Sequence, residues 1–315
     1  MKNSSMVTRT ISGVVLLIIV LICGFIGGGA LLLFTGAAGV IGLYELYMAL
    51  GLYNKNAESK ADNRLAVTAL VFAVIFYLVV GLGIVPLLVI NAKDFVSFDS
   101  GNFINIISDV DRLNMVVTLM NIFVAFLFII LMLIIFVGIY VFSFPRFDFT
   151  KVAYVFTGFV YVPVFMSFVY LTRTLTNGKY VFWLIFICSW VCDTCAYFAG
   201  SFLGKHKLAP VLSPKKSIEG SIGGIVGSVL IAFLFGYFIE YKMLGGQNNA
   251  VGYMIICLFG SIVSQIGDLV ASGIKRNHNI KDYGNVIPGH GGILDRFDSV
   301  LFVAPVIFFL AMFVI

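Results

Sequence analysis

Apolar residues run along this chain in blocks separated by short polar loops, and each block is about as long as a bilayer crossing, which takes about 20 residues. The blocks predict roughly nine membrane-spanning helices, over 8–27, 29–50, 65–90, 115–143, 152–172, 178–202, 218–240, 250–272 and 298–315. A short basic stretch precedes the first block, as in a signal peptide. No A-x-A-like cleavage site follows it and the second block starts almost at once, so a retained helix is expected. The 115–143 block is long enough to tilt or to project beyond the bilayer.

The loops assign an orientation. With the N-terminus cytoplasmic, the inner segments hold Lys2, Arg9, Lys55, Lys60, Arg64, Arg146, Lys151, Lys205, Lys207, Lys215, Lys216, Lys275, Arg276, Lys281 and Arg296. The outer segments hold Lys93, Arg112, Arg173, Lys179 and Lys242. Fifteen of the 20 basic residues then lie inside, a strong positive-inside bias. The outer loop 91–114 also gathers Asp94, Asp99, Asp109 and Asp111. The expected architecture is therefore an all-α polytopic membrane protein with about nine transmembrane helices, N-terminus cytoplasmic and C-terminus outside.

Composition agrees. Apolar residues make up 61% of the 315, charged residues 11%, and mean hydropathy is +1.07, whereas soluble domains carry about a quarter charged residues. Cys23, Cys188, Cys192, Cys195 and Cys257 all lie in apolar stretches and are odd in number, which argues against a disulfide framework. Cys192 and Cys195 have a C-x-x-C spacing, but with no second pair and no nearby histidine they read as packing residues. The net charge of +5 suits an anionic membrane surface or anionic substrate. Polar residues gather after Asp193, dividing the chain loosely into N-terminal membrane helices (1–177) and a C-terminal catalytic half (178–315) with cytoplasmic loops 203–217 and 273–297.

Ionisable groups at membrane depth cost several kcal/mol and persist when paired, hydrated or functional. Glu45, Asp193, Glu219 and Asp268 fall in or against spans. Glu45, near the end of its helix, is expected simply to reach the interface. Asp193, Tyr197, Gly200 and Gly204 share one helix face, either a helix contact or the wall of a polar cavity. Lys205, His206, Lys207, Lys215 and Lys216 follow directly, and Ser217 is a plausible N-cap, so the lysines sit beside a helix start suited to phosphate oxygens. Their alternative is a positive surface patch. Gly200-Ser-Phe-Leu-Gly204-Lys205-His206 resembles a P-loop but is one residue short, lacks the Ser/Thr after lysine and follows a helix. Gly220, Gly223, Gly224 and Gly227 read as a packing face.

The richest segment follows the eighth span. Asp268 and Ser272 stand one turn apart on its helix, followed by Lys275-Arg276, Lys281-Asp282, Pro288-Gly289-His290-Gly291-Gly292 and Asp295-Arg296-Phe297-Asp298. Asp268 and Asp295 are placed to share a divalent cation; oxygen-only ligation suits Mg²⁺, which takes one or two carboxylates plus water and substrate phosphates. The glycines allow tight turns that aim backbone N–H groups at an anion. Acids, bases and glycines together point to phosphoryl transfer.

These residues resemble the C-terminal signature of phosphatidate cytidylyltransferases, also called CDP-diglyceride synthetases. The signature reads Ser272-x-x-Lys275-Arg276, Lys281-Asp282, then Pro288-Gly289-His290-Gly291-Gly292-x-x-Asp295-Arg296-x-Asp298. Asp193-Thr194-x-Ala196-Tyr197-Phe198-x-Gly200 and Ser213-Pro214-Lys215-Lys216-Ser217-x-Glu219-Gly220 are similar to further family segments, so the match covers about 193–299. Cys195 and Asn277-His278-Asn279 depart from the pattern at positions given no role. The resemblance implies transfer of a cytidylyl group from CTP to phosphatidate, giving CDP-diacylglycerol and pyrophosphate. It implies Asp268 and Asp295 as ligands of Mg²⁺, with a second, monovalent cation such as K⁺ left open. Lys275, Arg276, Lys215, Lys216 and Arg296 become phosphate clamps. His290 orients phosphate or the leaving pyrophosphate, and Asp193 and Asp298 position substrate. Ser217, Ser272, Gly291 and Gly292 join the substrate-binding set.

The implied partners are CTP, phosphatidate and the bilayer, with no nucleic acid and a homodimer left open. The implied address is the cell membrane with the site facing the cytoplasm. Rival readings are an ion-coupled transporter, a CTP-dependent polyprenol kinase and a CDP-alcohol phosphotransferase. The first predicts repeat-related interrupted helices that the chain does not show. The second does not share this signature, and the third needs an Asp-Gly-x-x-Ala-Arg motif that does not occur.

Overall fold

The computed structural model describes residues 2–53, 63–81, 110–175, 177–243, 245 and 248–314, with side chains from Arg9 onward and outside 110–117. In hydrocarbon every backbone N–H and C=O must be satisfied within the segment, and apolar runs of this length therefore fold as helices. They are α1 (Lys2–Ile26), α2 (Gly28–Ala49), α3 (Arg64–Gly81) and α4 (Val110–Ser143). They continue with α5 (Phe149–Thr174), α6 (Gly178–Leu203), α7 (Ile218–Met243), α8 (Ala250–Asn277) and α9 (Leu294–Val314). Among the described residues these nine are long and apolar enough to cross a membrane, so the chain is an all-α polytopic membrane protein. The 82–90 part of the third predicted span lies outside the described residues. So do Lys55, Lys60, Lys93 and most of loop 91–114, with Asp94, Asp99 and Asp109.

Two boundaries moved for physical reasons. Helix α8 runs on to Asn277, past the expected 272, because Lys275 and Arg276 occupy its last turn, where cations complement the exposed carbonyls. Helix α9 starts at Leu294 rather than 298, with Asp295 in its first turn. Helix α5 contains Pro163, which has no N–H to donate; the helix widens to a π-turn over Val160–Val164 and absorbs it.

One departure from the all-helical expectation lies between α6 and α7. Strands β1 (Lys207–Ala209) and β2 (Ser213–Ser217) form an antiparallel ribbon, pairing Lys207 with Ser217 and Ala209 with Ser213. The ribbon delivers the chain directly into α7, where the Ser217 hydroxyl accepts the Gly220 N–H at 3.2 Å, the N-cap that the sequence suggested.

The core sits around α5 and α9, each with 56% of its span buried, against 11% for α1 and α4. Helix α9 packs on α8, α5, α6 and α2, so residues from both halves of the sequence share one interior. The Tyr47 hydroxyl donates to Val155 O at 2.6 Å and Tyr77 to Pro163 O at 2.9 Å, tying α2 and α3 to α5. Helices α6 and α7 meet through their small residues. A Cβ on Gly220 would lie 2.8 Å from Ala196 O, and one on Gly224 would lie 2.8 Å from Cys192 O. Gly220, Gly223, Gly224 and Gly227 are therefore the packing face that their spacing suggested. Cys192 and Cys195 are free thiols in that contact.

Candidate active site

The polar residues converge at the end of the bundle that carries the ribbon and the 278–293 loop. Asp193 comes from α6, Asp268 and Lys275 from α8, and Asp295, Arg296 and Asp298 from α9. With Asp282 and His290 of the loop they line a cavity of about 520 Å³. A second cavity of about 420 Å³ lies on the other side of Asp193 and Asp268. Its walls include Lys215, Lys216, Ser217, Tyr197, Gly200 and Gln265. Asp193 and Asp268 border both. On the α6 face carrying Asp193, Tyr197 and Gly200, Gly200 lies against α7 and Asp193 lines the more polar first cavity.

Asp295 organises the loop. Its side chain is 3% exposed. One oxygen receives Lys275 Nζ at 3.0 Å. The other accepts the N–H groups of Tyr283 (2.8 Å) and Gly292 (3.0 Å). Tyr283 in turn donates its hydroxyl to Ala271 O at 3.0 Å, and Lys275 Nζ lies 5.2 Å from its ring. Two consequences correct the sequence reading. Gly292 spends its N–H on Asp295 and does not aim it at a bound anion. Asp295 arrives with three donors already on its carboxylate, so it is the loop's anchor before it is anything else.

The turn itself needs its glycines. Gly289 and Gly291 adopt φ of +76° and +85°, a region that L-side chains avoid. The Ile287 N–H reaches Gly291 O at 2.9 Å and closes the turn. His290 projects from it toward α1. Its Nδ1 lies 2.7 Å from Ser12 Oγ, and its carbonyl accepts Arg296 Nε at 3.0 Å. Partial desolvation, then the Arg296 and Arg9 charges, hold the imidazole below its ordinary value and favour its neutral form.

Glu45 requires a second correction. Rather than reaching the interface it is 3% exposed, beneath the start of α9. It accepts the Ile293 N–H at 3.0 Å and the Leu294 N–H at 2.9 Å. These are among the donors that a helix start leaves unsatisfied, and a carboxylate there also complements the helix dipole. Gly284 and Gly292 leave room for it, since a Cβ on either would overlap the Glu45 carboxylate.

On the ribbon side Lys216 Nζ forms an ion pair with Asp268 Oδ2. Glu219, in the first turn of α7, accepts the Lys205 N–H (3.0 Å) and the His206 N–H, and holds His206 Nδ1 at 2.6 Å. That folds the loop onto the helix start. The exposed Arg276 lines neither cavity, and neither does Ser272, although it follows Asp268 by one turn. Trp190 also belongs to the first cavity, with Nε1 donating to Arg296 O at 3.3 Å. No motif flagged Trp190 or Ser12. Tyr283 had no signal beyond following Lys281-Asp282. Glu45 did have one, as a carboxylate within an apolar helix.

The carboxylates allow a test of metal binding. Asp193, Asp268 and Asp298 feel one another's charge across the cavity, and Asp298 spends one oxygen on the Ser299 N–H at 2.8 Å. Among the described residues no three acidic, His or Cys groups meet closely enough to encircle an ion. An all-oxygen set of one or two carboxylates completed by substrate phosphates is nevertheless the mode Mg²⁺ favours. Asp268, Asp193 and Asp298 fit that mode better than Asp295, which already holds three donors on its about four lone-pair positions.

The model of the cytidylyltransferase family matches residues 63–314. The chain is 34% identical over 162 residues to the phosphatidate cytidylyltransferase of Staphylococcus haemolyticus (strain JCSC1435), covering 51% of this chain and 60% of that one. It is 36% identical over 162 residues to the phosphatidate cytidylyltransferase of Staphylococcus aureus (strain COL), with the same coverage. The chain thus spans about three fifths of the length of the curated relatives it matches. The matched segment takes in every carboxylate and lysine of both cavities, and on that match the chain belongs to the cytidylyltransferase family.

Proposed function

We propose that this protein transfers the cytidylyl group of CTP to phosphatidate, releasing pyrophosphate and forming CDP-diacylglycerol. One observation carries the reading: two cavities share Asp193 and Asp268, one reached past the basic ribbon and the other opening along α1 toward apolar surface. CTP enters past Lys215 and Lys216. The phosphate of the lipid enters beside Lys275, Arg296 and His290. The two reactants meet at the shared carboxylates. A phosphatidate oxygen attacks the α-phosphorus of CTP in line, the bond to the β-phosphate oxygen breaks, and pyrophosphate departs.

Such transfer depends on positioning and charge neutralisation more than on proton chemistry. Lys216 is held by Asp268 until a triphosphate competes for it. Arg296, its Nε fixed on His290 O, keeps its remaining donors for phosphate. Mg²⁺ held by Asp268 with Asp193 or Asp298 would neutralise phosphate charge between the two substrates. The bias of basic residues supports a cytoplasmic site in the cell membrane, where CTP arrives from the cytosol and acyl chains stay in the bilayer.

Purified protein given labelled CTP and phosphatidate, with and without Mg²⁺, tests this. CDP-diacylglycerol and pyrophosphate should appear in equal amounts and only with Mg²⁺. Asp268→Asn should lose activity without losing stability, whereas Asp295→Asn should lose both. Ion uptake by proteoliposomes with no CTP turnover would overturn the enzyme reading.

A further inference from the structure

Helix α1 is the least buried wall of the site, and polar contacts tie it to the rest of the molecule at two separated places. At its inner end Ser12 Oγ contacts Pro288 O (2.9 Å) and His290 Nδ1 (2.7 Å), and Gly13 lies against the imidazole. Near its outer end Gly24 meets the rings of Phe182 and Trp183, and Phe25 lies 5.0 Å from Trp183. There Arg173 Nε donates to Gly24 O at 3.2 Å. Between these tethers α1 packs through Val20, 2% exposed, yet leaves an apolar groove of about 720 Å³ beside α6 and α7. Leu17, Val20 and Leu21 form one wall; Trp183, Phe235 and Ile239 face them.

The groove is continuous with the phosphate cavity, because Leu17 and Trp190 line both. Its far end is marked by Arg173 and Lys179. Along α6 the 11 residue steps from Lys179 to Trp190 rise about 16 Å, close to one leaflet of a hydrocarbon core about 30 Å thick.

We propose that this groove holds one acyl chain of the lipid whose phosphate occupies the adjoining cavity. The inference rests on the phosphatidate reading above. The tethers explain why a groove persists: Ser12 and Gly24 hold α1 at a fixed stand-off, so a chain slides between two walls instead of displacing a packed helix. Trp190 stands where headgroup gives way to chain. The site would then select for chain as well as for phosphate, and α1, which precedes the segment matched by the family model, would supply half of that selectivity.

Filling the groove from either wall tests the proposal. Leu21→Trp adds bulk from α1 and Ile239→Trp from α7, so one variant remains if the other fails to fold. Turnover would be compared for dioleoyl and dihexanoyl phosphatidate. The expected result is a fall of about tenfold or more in kcat/KM for the long-chain lipid, equivalent to roughly two buried methylene groups. The KM for CTP and the turnover of the short-chain lipid should not change. A phosphatidate carrying a diazirine near the end of one chain should label Trp183 or Phe235 in the unmodified protein, and a phosphatidylcholine probe should label them less. Equal losses for both lipids, or equal labelling by both probes, would mean that bulk lipid fills the groove and would overturn the proposal while leaving the enzyme reading intact. If the unmodified protein makes no CDP-diacylglycerol from either lipid, the enzyme reading fails and takes the acyl-chain site with it.

Discussion

Removing the Glu45 carboxylate should unfasten the start of α9 and, with it, the site. Glu45→Ala would strand the Ile293 and Leu294 N–H groups, now held at 3.0 and 2.9 Å in an environment where Glu45 is 3% exposed. Each buried donor left unpaired costs about 1–3 kcal/mol, so the two together cost about 2–6 kcal/mol. Glu45→Gln keeps one oxygen to accept a hydrogen bond but loses the charge and its favourable placement at a helix N-terminus, and should cost about half as much. Stability in detergent is measured by denaturant titration followed through tryptophan emission. The chain has two tryptophans, and Trp190 hydrogen-bonds Arg296 O and lies 6.1 Å from Phe297, so it reports on this helix start directly. Because Asp295, Arg296 and Asp298 ride on the same turn, kcat should fall in the same order, alanine below glutamine below the natural residue. A Glu45→Ala change below about 0.5 kcal/mol, the range of ordinary surface substitutions, would refute the capping argument. So would glutamine behaving identically to alanine.

Other outcomes follow from the same contacts. Lys275→Met leaves the nearly buried Asp295 carboxylate without its cation and should destabilise by about 3–5 kcal/mol; Lys275→Arg should recover part of this in thermal unfolding. Gly220→Leu would force a side chain against Ala196 O where a Cβ alone stands at 2.8 Å. A loss of about 1–3 kcal/mol is expected, and unchanged stability would contradict the close α6–α7 approach. His290 is held below its ordinary 6.5, so the unfolded chain binds its proton more readily. Its contribution to stability is therefore full above about pH 6.5 and shrinks as pH falls toward the folded value. Arg9→Gln removes one of the opposing charges and should move the imidazole titration, followed by NMR, upward toward 6.5.

The helices were legible because a bilayer imposes a length, and nine apolar blocks of that length can hardly be read otherwise. Their ends were less legible. The stop of α8 at Asn277 depends on the N–H groups of His278, Asn279 and Ile280 turning back onto the carbonyls of Ile274, Arg276 and Lys275, a feature visible only once the helix is known to continue. Within the signature Lys275, Asp282, His290, Asp295, Arg296 and Asp298 line one cavity while Ser272 and Arg276 do not, and Ser217 was recognisable as a cap from local chemistry. Glu45 was misread because its partners lie 248 and 249 positions away; a carboxylate in a span shows that a partner exists without saying where. The ribbon was missed for a related reason. Ser213-Pro214-Lys215-Lys216-Ser217 has no strand-like alternation, and its pairing with Lys207–Ala209 is fixed by the helices on either side.

The same distinction separates the two aspartates first paired as metal ligands. By type they look alike, each a carboxylate near lysines. In the fold Asp295 is nearly buried and holds three donors, two of them backbone N–H groups that no substrate can displace without undoing the loop. Asp268 holds only a lysine on a ribbon, and the two side chains are about one quarter exposed. That pair is open to solvent on one side, where a triphosphate of larger charge can compete for the lysine. In the proposed transfer one carboxylate would fix the turn before any substrate arrives, and another would hold a cation that substrate can take over, leaving its oxygens able to hold Mg²⁺. Asp295 suits the first role and Asp268 the second because of what each already holds.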